Sequence, residues 1–457
     1  MTLRLFMAWT VALAAGASAS AVAVAGDGPQ SPDDIWALAL AHDPVLGAAE
    51  AEEAAGLNAY RLRRSTLLPT VTATGSAARI DSELESEFFT SGSGGKLEQN
   101  YDAYTYGLSL RQPIFRWDLL NRLEVGKVEV IAAEVRLKRV RQELVGRVAS
   151  AYTRVLAAED ALQTARATKT AVSRQLNQVR DQVEVGAVAV TGLREAEAEQ
   201  DLAEASLIDA QLALDDAVDQ LARIIGTSAF DLAHVKNVDA LDPIVSIPLA
   251  DWLAAAQERN TNVVAARLAA ELARLDMKTN DANLYPQLDL AASYNRNDTS
   301  ESVIGQDAEE GRIGLELTIP LYTGGATRAR IESARSTYLQ RSEELRLALE
   351  LAESEVRTAW RTVRASKRRI AARGKAVDST AAALAAVRDG YEVGSRTLSD
   401  VLNAERAALQ ARQSLNQARY DYVVAVIDLK LAAGTVTDDD LPLIDAVFTG
   451  TETGSSE

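Results

Sequence analysis

Cysteine is absent from all 457 residues, which excludes disulfides, thiolate metal sites, thiol catalysis and a lipidated N-terminal cysteine. Histidine is nearly absent too: His42 sits beside Asp43-Pro44 and His234 lies in a linker, so no pair has metal-ligand spacing. No Gly-x-Ser-x-Gly elbow occurs, and the many acidic residues fall on helical faces, so the chain reads as a non-enzyme without cofactor or metal. Positive charge is in deficit, 48 basic against 65 acidic side chains for a net −17, which argues against nucleic acid as a partner. Only ten prolines occur, none of them in residues 114 to 242 or 321 to 441, which suits very long helices.

Residues 1 to 25 read as an export signal, with Arg4 ahead of an apolar run through Leu5, Phe6, Val11 and Leu13 and a small-residue site at Ala23-Val24-Ala25. No later stretch of 18 apolar residues occurs, so membrane insertion of the mature chain must use strands.

What the chain has is an internal repeat. At an offset of 208, Val179-Arg180-Asp181 and Glu184-Val185-Gly186 recur as Val387-Arg388-Asp389 and Glu392-Val393-Gly394, and Gly226-Thr227 recurs as Gly434-Thr435. Pro113 matches Pro320 and Pro69 matches Pro286, with about ten more residues between Pro69 and Pro113 than between Pro286 and Pro320, which we read as a loop insertion. The chain therefore divides into a first repeat at 26–245 and a second at 246–457, the latter closing in an acidic tail.

Within each repeat the periodicity changes. Tyr104, Tyr106, Leu108 and Leu110 alternate with polar residues, as do Leu288, Leu290, Ala292 and Tyr294, and Ile313, Leu315, Leu317 and Ile319. Strands are expected at about 69–80, 101–113, 286–297 and 311–320. Alternating segments of this length with aromatics near the ends suit a membrane β-barrel, and Ser91 to Gly95 and Asn295 to Glu310 suit its outer loops. After the strand-to-helix corners at Pro113 and Pro320, long helices are expected at 119–185 and 327–393, with return helices at 192–225 and 399–433. Val172, Leu176, Val179 and Val183 face Ala203, Leu207, Ala210, Leu214, Ala217 and Leu221 in a small-residue heptad seam. Since each return helix is half as long, the stretches near 43–67 and 249–283 are expected to cover the rest.

Four strands cannot close a barrel, and an open sheet edge in lipid leaves backbone groups unsatisfied. Three copies give twelve strands and a water-filled lumen. The fold expected is thus mainly α with a membrane β-barrel: a homotrimer whose barrel continues as a helical tunnel. A periplasmic coiled-coil adaptor or scaffold without a pore shares the helices but has no reason to carry the duplicated strands.

Gly390-Tyr391-Glu392-Val393-Gly394-Ser395-Arg396-Thr397, followed by Asp400-Val401-Leu402-Asn403-Ala404, together with Ile319-Pro320-Leu321-Tyr322 and Ala418-Arg419-Tyr420-Asp421-Tyr422, resembles the TolC-like outer-membrane efflux and secretion proteins. The likeness covers nearly the whole mature chain and is nearest the branch serving type I secretion and multidrug efflux. It implies an outer-membrane trimer, in contact with outer-membrane lipid, that docks on an inner-membrane pump or ABC exporter through a periplasmic adaptor. By the same resemblance the turns with Val185, Gly186, Val393 and Gly394 form the adaptor-docking periplasmic tip. Asp400 would line the constriction, and Asn403 stands where relatives can carry a second acid. Tyr391 and Arg396 would hold the tip shut against Thr191 and the residue at 192, where the usual Asp is Gly192. Either Glu195, one turn on, replaces it as acceptor, or the closed tip is looser than usual.

Overall fold

The computed structural model describes residues 30–86, 95–187, 189–299, 307–437 and 445–448. The expected export signal therefore lies outside the described residues, as do residues 91–94 of the first expected outer loop and 300–306 of the second.

Two short helices lead in, α1 (Pro32–His42) and α2 (Pro44–Ser65), hinged at Asp43, whose carboxylate caps α2 through the Val45 N–H at 2.7 Å and pairs with Arg147 at 2.5 Å. A hairpin follows, β1 (Thr70–Ser86) and β2 (Gly95–Phe115), then the long α3 (Trp117–Glu184) and its return, α4 (Val190–Ile225). A linker with a 3-10 turn at Val238–Leu241 and the one-turn α5 (Asp242–Val245) opens the second repeat. It continues as α6 (Leu249–Arg259), α7 (Thr261–Ala282), β3 (Gln287–Thr299), β4 (Ala308–Thr318), α8 (Ala326–Glu392) and α9 (Leu398–Ala433). Asn260 breaks the second lead-in helix as Asp43 breaks the first, its side chain accepting from the Asn262 and Val263 N–H groups.

The four strands form one antiparallel sheet in the order β1-β2-β3-β4. Helices follow the same order: α2, α3, α7 and α8 stand side by side below it, and further down α4 packs on α3, α3 on α9 and α9 on α8. The lead-in helices thus cover the parts of α3 and α8 that the return helices cannot reach, as their lengths require. Ala196, Ala203, Ala217 and Leu221 of α4 are buried, and Val172 of α3 with them. These small side chains let the hairpin helices approach closely.

The core lies where all these helices meet, around Leu144, Tyr152, Leu156, Leu221, Val356, Tyr422 and Leu429. Both return helices end there on a left-handed glycine, Gly226 at φ 78° and Gly434 at φ 68°. At Gly434 a Cβ would stand 2.2 Å from the Arg259 carbonyl oxygen, so shape as well as dihedral demands glycine.

Four expectations need correction. The ten extra residues of the first repeat do not make a loop: β1 and β2 pair seven rungs beyond Arg79, from Ile80 opposite Tyr101 to Ser86 opposite Gly95. Likewise Asn295–Thr299 belongs to β3 and Ala308–Glu310 to β4, not to a loop. Pro113 is not the corner itself but a residue inside β2, opposite Asp289 and next to a register shift, which tolerates its missing N–H; the chain turns at Arg116. Nor is the C-terminal segment only an acidic tail, because Phe448 is buried edge-on against Tyr152 with ring centroids 5.0 Å apart.

Candidate functional site: an apolar sheet above a helical tip

Strand register sorts the sheet into two faces. On one, Val71, Leu110, Ala292 and Ile313 lie in a row, as do Ala73, Leu108 and Tyr294, and Leu290 pairs with Leu315. Large apolar side chains on this face are uncovered, including Leu108, Ile313, Leu315 and Leu317. Tyr104, Tyr106 and Tyr294 rim its far end; Phe115 and Trp117, stacked at 5.9 Å, stand with Tyr285 and Tyr322 at the helical end. From Tyr104 to Ile114 the strand runs roughly 33 Å at about 3.3 Å per residue. A tilt of about 40° reduces that to about 25 Å, the height of a barrel's lipid-facing band. Level with Tyr106 and Tyr104 the neighbouring strands already carry charge on this face, Arg296 opposite Tyr106 and Asp298 opposite Tyr104, with Arg296 bonded to Asp298 at 2.9 Å and Glu309 at 3.0 Å.

The opposite face is polar: Thr70, Thr72, Thr74, Ser109, Arg111, Ser293, Arg312 and Glu316. At its base Asp289, 4% exposed, accepts from Arg111 Nη2 at 2.8 Å and Arg116 Nη1 at 3.4 Å, while Arg116 also holds Asp118 at 3.0 Å. This network, invisible as such in the sequence, ties the first repeat's strand and helix to the second repeat's strand.

At the other end the two helical hairpins reverse. Gly186 (φ 74°) and Gly394 (φ 76°) carry the reversal, and their neighbours Val185 and Val393 stand out into solvent. The second turn is tightly bonded, Gly390 carbonyl accepting from Ser395 N at 2.8 Å and Arg396 N at 3.1 Å. Thr397 then caps α9: Thr397 N and Oγ1 both donate to Asp400 Oδ2 at 2.9 Å, and Asp400 N donates back to Thr397 Oγ1 at 3.2 Å. Those hydrogen bonds, with the nearby Arg396 charge, hold the Asp400 carboxyl below the usual range.

The repeats differ here. Ala189 occupies the cap of α4, where no side chain bonds, and Gly192 occupies the position equivalent to Asp400. Glu195 is equivalent to Asn403, so each repeat keeps one acid, one turn apart, and both Glu195 and Asn403 are exposed. Among the described residues of one chain, Tyr391 and Arg396 form no hydrogen bond or ion pair with Thr191, Gly192 or Glu195. The structure therefore brings Asp400 and Thr397 together but leaves the expected closing partners apart within a chain. Glu199 of α4 and Arg406 of α9 do link the two hairpins near the tip, at 3.3 Å.

His42 is exposed and lies over Gly226; His234 is exposed and 3.9 Å from Glu159. Burial raises the Glu159 carboxyl, and the imidazole opposes it. Among the described residues no cluster of acids and histidines is placed to hold a metal ion.

Comparison with known proteins agrees with this geometry. The family model described as "Outer membrane efflux protein" matches residues 36–227 and 252–435, one stretch in each repeat. The alkaline protease secretion protein AprF of Pseudomonas aeruginosa is 31% identical over 92% of this chain and 88% of its own length. The outer membrane protein TolC of Vibrio cholerae is 29% identical over 90% and 92%. Among solved structures, the Campylobacter jejuni CmeC outer membrane channel superposes with a TM-score of 0.75 at 16% identity, covering 91% of this chain and 89% of that one. The open state of the Neisseria gonorrhoeae MtrE outer membrane channel gives 0.70 at 20%, covering 89% and 91%.

Proposed function

The chain belongs to the outer membrane efflux protein family, a family of channels, and from that premise we propose that three copies join edge to edge as the passive exit duct of an efflux or type I secretion system. Its place is the outer membrane, with the helical part in the periplasm. The observation that carries the proposal is the open sheet: β1 and β4 are unpaired edges, and the apolar face has the height of a lipid core. In lipid such edges cost several kcal/mol per unsatisfied group, and joining β1 to β4 of the next copy removes them. Four strands per chain then make a twelve-stranded barrel with room for water. The polar strand face becomes the lumen. An adaptor without a pore has no use for such a sheet, and the family match leaves that alternative without support.

At the tip, threefold repetition would set three Asp400 carboxylates around the axis, a ring that favours cations. Asn403, one turn on, supplies no second ring, so the filter is weaker than a doubly acidic one. In the closed tip Tyr391 and Arg396 reach Thr191 and Glu195 of a hairpin in the assembled ring, since within one chain these groups stay apart. Val185, Gly186, Val393 and Gly394 offer an apolar, tightly turned rim that suits docking of a periplasmic adaptor, itself bound to an inner-membrane pump. A duct of this kind needs no catalytic group and no cofactor; the pump chooses the cargo.

Light scattering of the detergent-extracted protein, corrected for bound detergent, tests the assembly. A mass of three chains is expected; a monomer would overturn the reading.

A further inference from the structure

The net charge of −17 is distributed unevenly. Residues 357 to 375 of α8 carry eight basic side chains and no acidic one. Five of these, Arg357, Arg361, Arg364, Arg368 and Lys375, follow a spacing of three, four or seven residues and form one exposed stripe, opposite the face buried through Val356, Val363 and Ser366. Arg357 has Glu353 at 2.9 Å. The others have no carboxylate among the described residues: Arg361 donates to the Arg357 carbonyl, Arg368 to the Arg364 carbonyl, and Arg364 lies over the Trp360 ring at 4.6 Å.

An acidic stripe of matching spacing runs along α4. Leu202, Ala205, Asp209, Leu212, Asp216, Asp219 and Arg223 alternate steps of three and four residues, all exposed. This is a second heptad seam, on a face of the helix that α3 does not cover. Asp209, Asp216 and Asp219 have no ion-pair partner among the described residues.

The two stripes stand at matching heights. Ser173 bonds Gln200 and Lys169 pairs with Glu204, which sets the register of α4 on α3. Asp160 of α3 accepts from Asn416 at 3.0 Å and Tyr420 at 2.8 Å, and Arg373 and Arg369 of α8 reach Ser414 and Asp421, which carries the register across α9 to α8. Followed through, Asp209 stands level with Lys375, Asp216 with Arg368 and Asp219 with Arg364. Leu212 and Leu202 stand level with Ala371 and Ala382. Only Arg223 meets like charge, at the height of Arg361, whose guanidinium is turned onto its own helix backbone.

At this height the helices run in the order α4-α3-α9-α8, so the two stripes lie on opposite edges of one chain. With neighbouring helix axes about 8–10 Å apart, they are too distant to meet within it. A head-to-tail contact repeated around a closed ring brings one edge against the other. We infer that the Arg364, Arg368 and Lys375 stripe of α8 docks on the Asp209, Asp216 and Asp219 stripe of α4 in the next copy of this chain, fixing the axial register of the tunnel. The inference rests on the ring assembly proposed above and names the surface that joins its members. Antiparallel helices with alternating apolar and charged layers specify register, because a slip of one turn sets Leu212 against a guanidinium.

The cysteine-free chain makes the test direct. Oxidation of an Asp216→Cys, Arg368→Cys double variant in membranes is expected to give covalent dimers and trimers under denaturing electrophoresis, whereas Asp216→Cys with Asp389→Cys, far apart in height, gives none. Arg364→Glu with Arg368→Glu is expected to abolish the detergent-resistant trimer, and adding Asp216→Lys with Asp219→Lys to regain it. A trimer by light scattering that shows no Asp216–Arg368 cross-link, or that ignores the charge reversal, overturns the seam alone. A monomer by light scattering overturns the ring and the seam with it.

Discussion

Arg111 Nη2 lies 2.8 Å from Asp289 Oδ2 and joins the last strand of the first repeat to the first strand of the second, on the polar face of the sheet. Arg116 approaches the same oxygen at 3.4 Å, so one buried carboxylate bridges two guanidinium groups where the sheet becomes helix, with buried Asp118 as the second partner of Arg116. Charge-assisted bonds of this kind hold the strand-to-helix junction in one geometry.

Replacing Asp289 by Ala removes the acceptor that Arg111 and Arg116 share, leaving the mostly buried Arg116 with Asp118 alone and close to the Arg111 charge. A loss on the order of 3 kcal/mol is expected, with Asp289→Asn costing less because its oxygen still accepts. Thermal unfolding followed by circular dichroism in detergent gives the order: native above Asn above Ala.

The Thr397 cap holds the first turn of α9 at the tip. Thr397→Ala removes the Oγ1 acceptor for Asp400 N and costs about 1 kcal/mol. Amide exchange is the readout: residues 398 to 403 should exchange faster, while the equivalent first turn of α4, which has no side-chain cap, should already exchange at the faster rate.

Asp400 fixes the acid response of the tip. Its carboxyl is depressed below 3.8 by the Thr397 hydrogen bonds and Arg396, so its contribution to the cap is present at neutral pH and lost as pH falls through that depressed value. Helix-end protection at 398 to 403 and cation preference should therefore be unchanged from about pH 7 to pH 5 and decline only below the usual carboxylate range. A decline centred near pH 6 would implicate another group.

Phe448 stoppers the region where α1, α3 and the linker meet. It is 1% exposed, and the Lys236 and Asn237 N–H groups bond the Val447 carbonyl. Phe448→Ala should cost about 3–5 kcal/mol. Limited proteolysis should then release the C-terminal residues while leaving the hairpin helices intact.

Much of this fold was legible because its periodic segments are long. The 208-residue offset and the two 67-residue helical runs survive small local irregularities, and the observed α3 and α8 differ from expectation by only one or two residues at each end. Strand alternation was legible only where lipid imposes it. Further out, Asp81 of β1 and the run Asn295-Arg296-Asn297-Asp298 of β3 are polar on both faces and carry no alternating signal, although their backbone pairs normally. The Asp289 network was hidden for a related reason: on a polar face, a carboxylate that organises two arginines looks in sequence like any solvated one. Phe448 gave only a short apolar cluster, Ile444-Asp445-Ala446-Val447-Phe448, without a period to mark it as core. At the tip, the sequence placed Asp400 on the second turn and noted the missing acid at Gly192; what it did not show is that the same carboxylate closes a reciprocal cap with Thr397.

The central claim is that this open-edged chain assembles into a water-filled pore gated at the Asp400 tip. Single-channel recording of the detergent-extracted trimer in planar bilayers, native against Asp400→Ala, tests it most directly. Stable unitary openings that prefer cations, with the preference reduced in the variant, are predicted. A folded trimer that inserts without conducting, or one whose cation preference is untouched by Asp400→Ala, would contradict it.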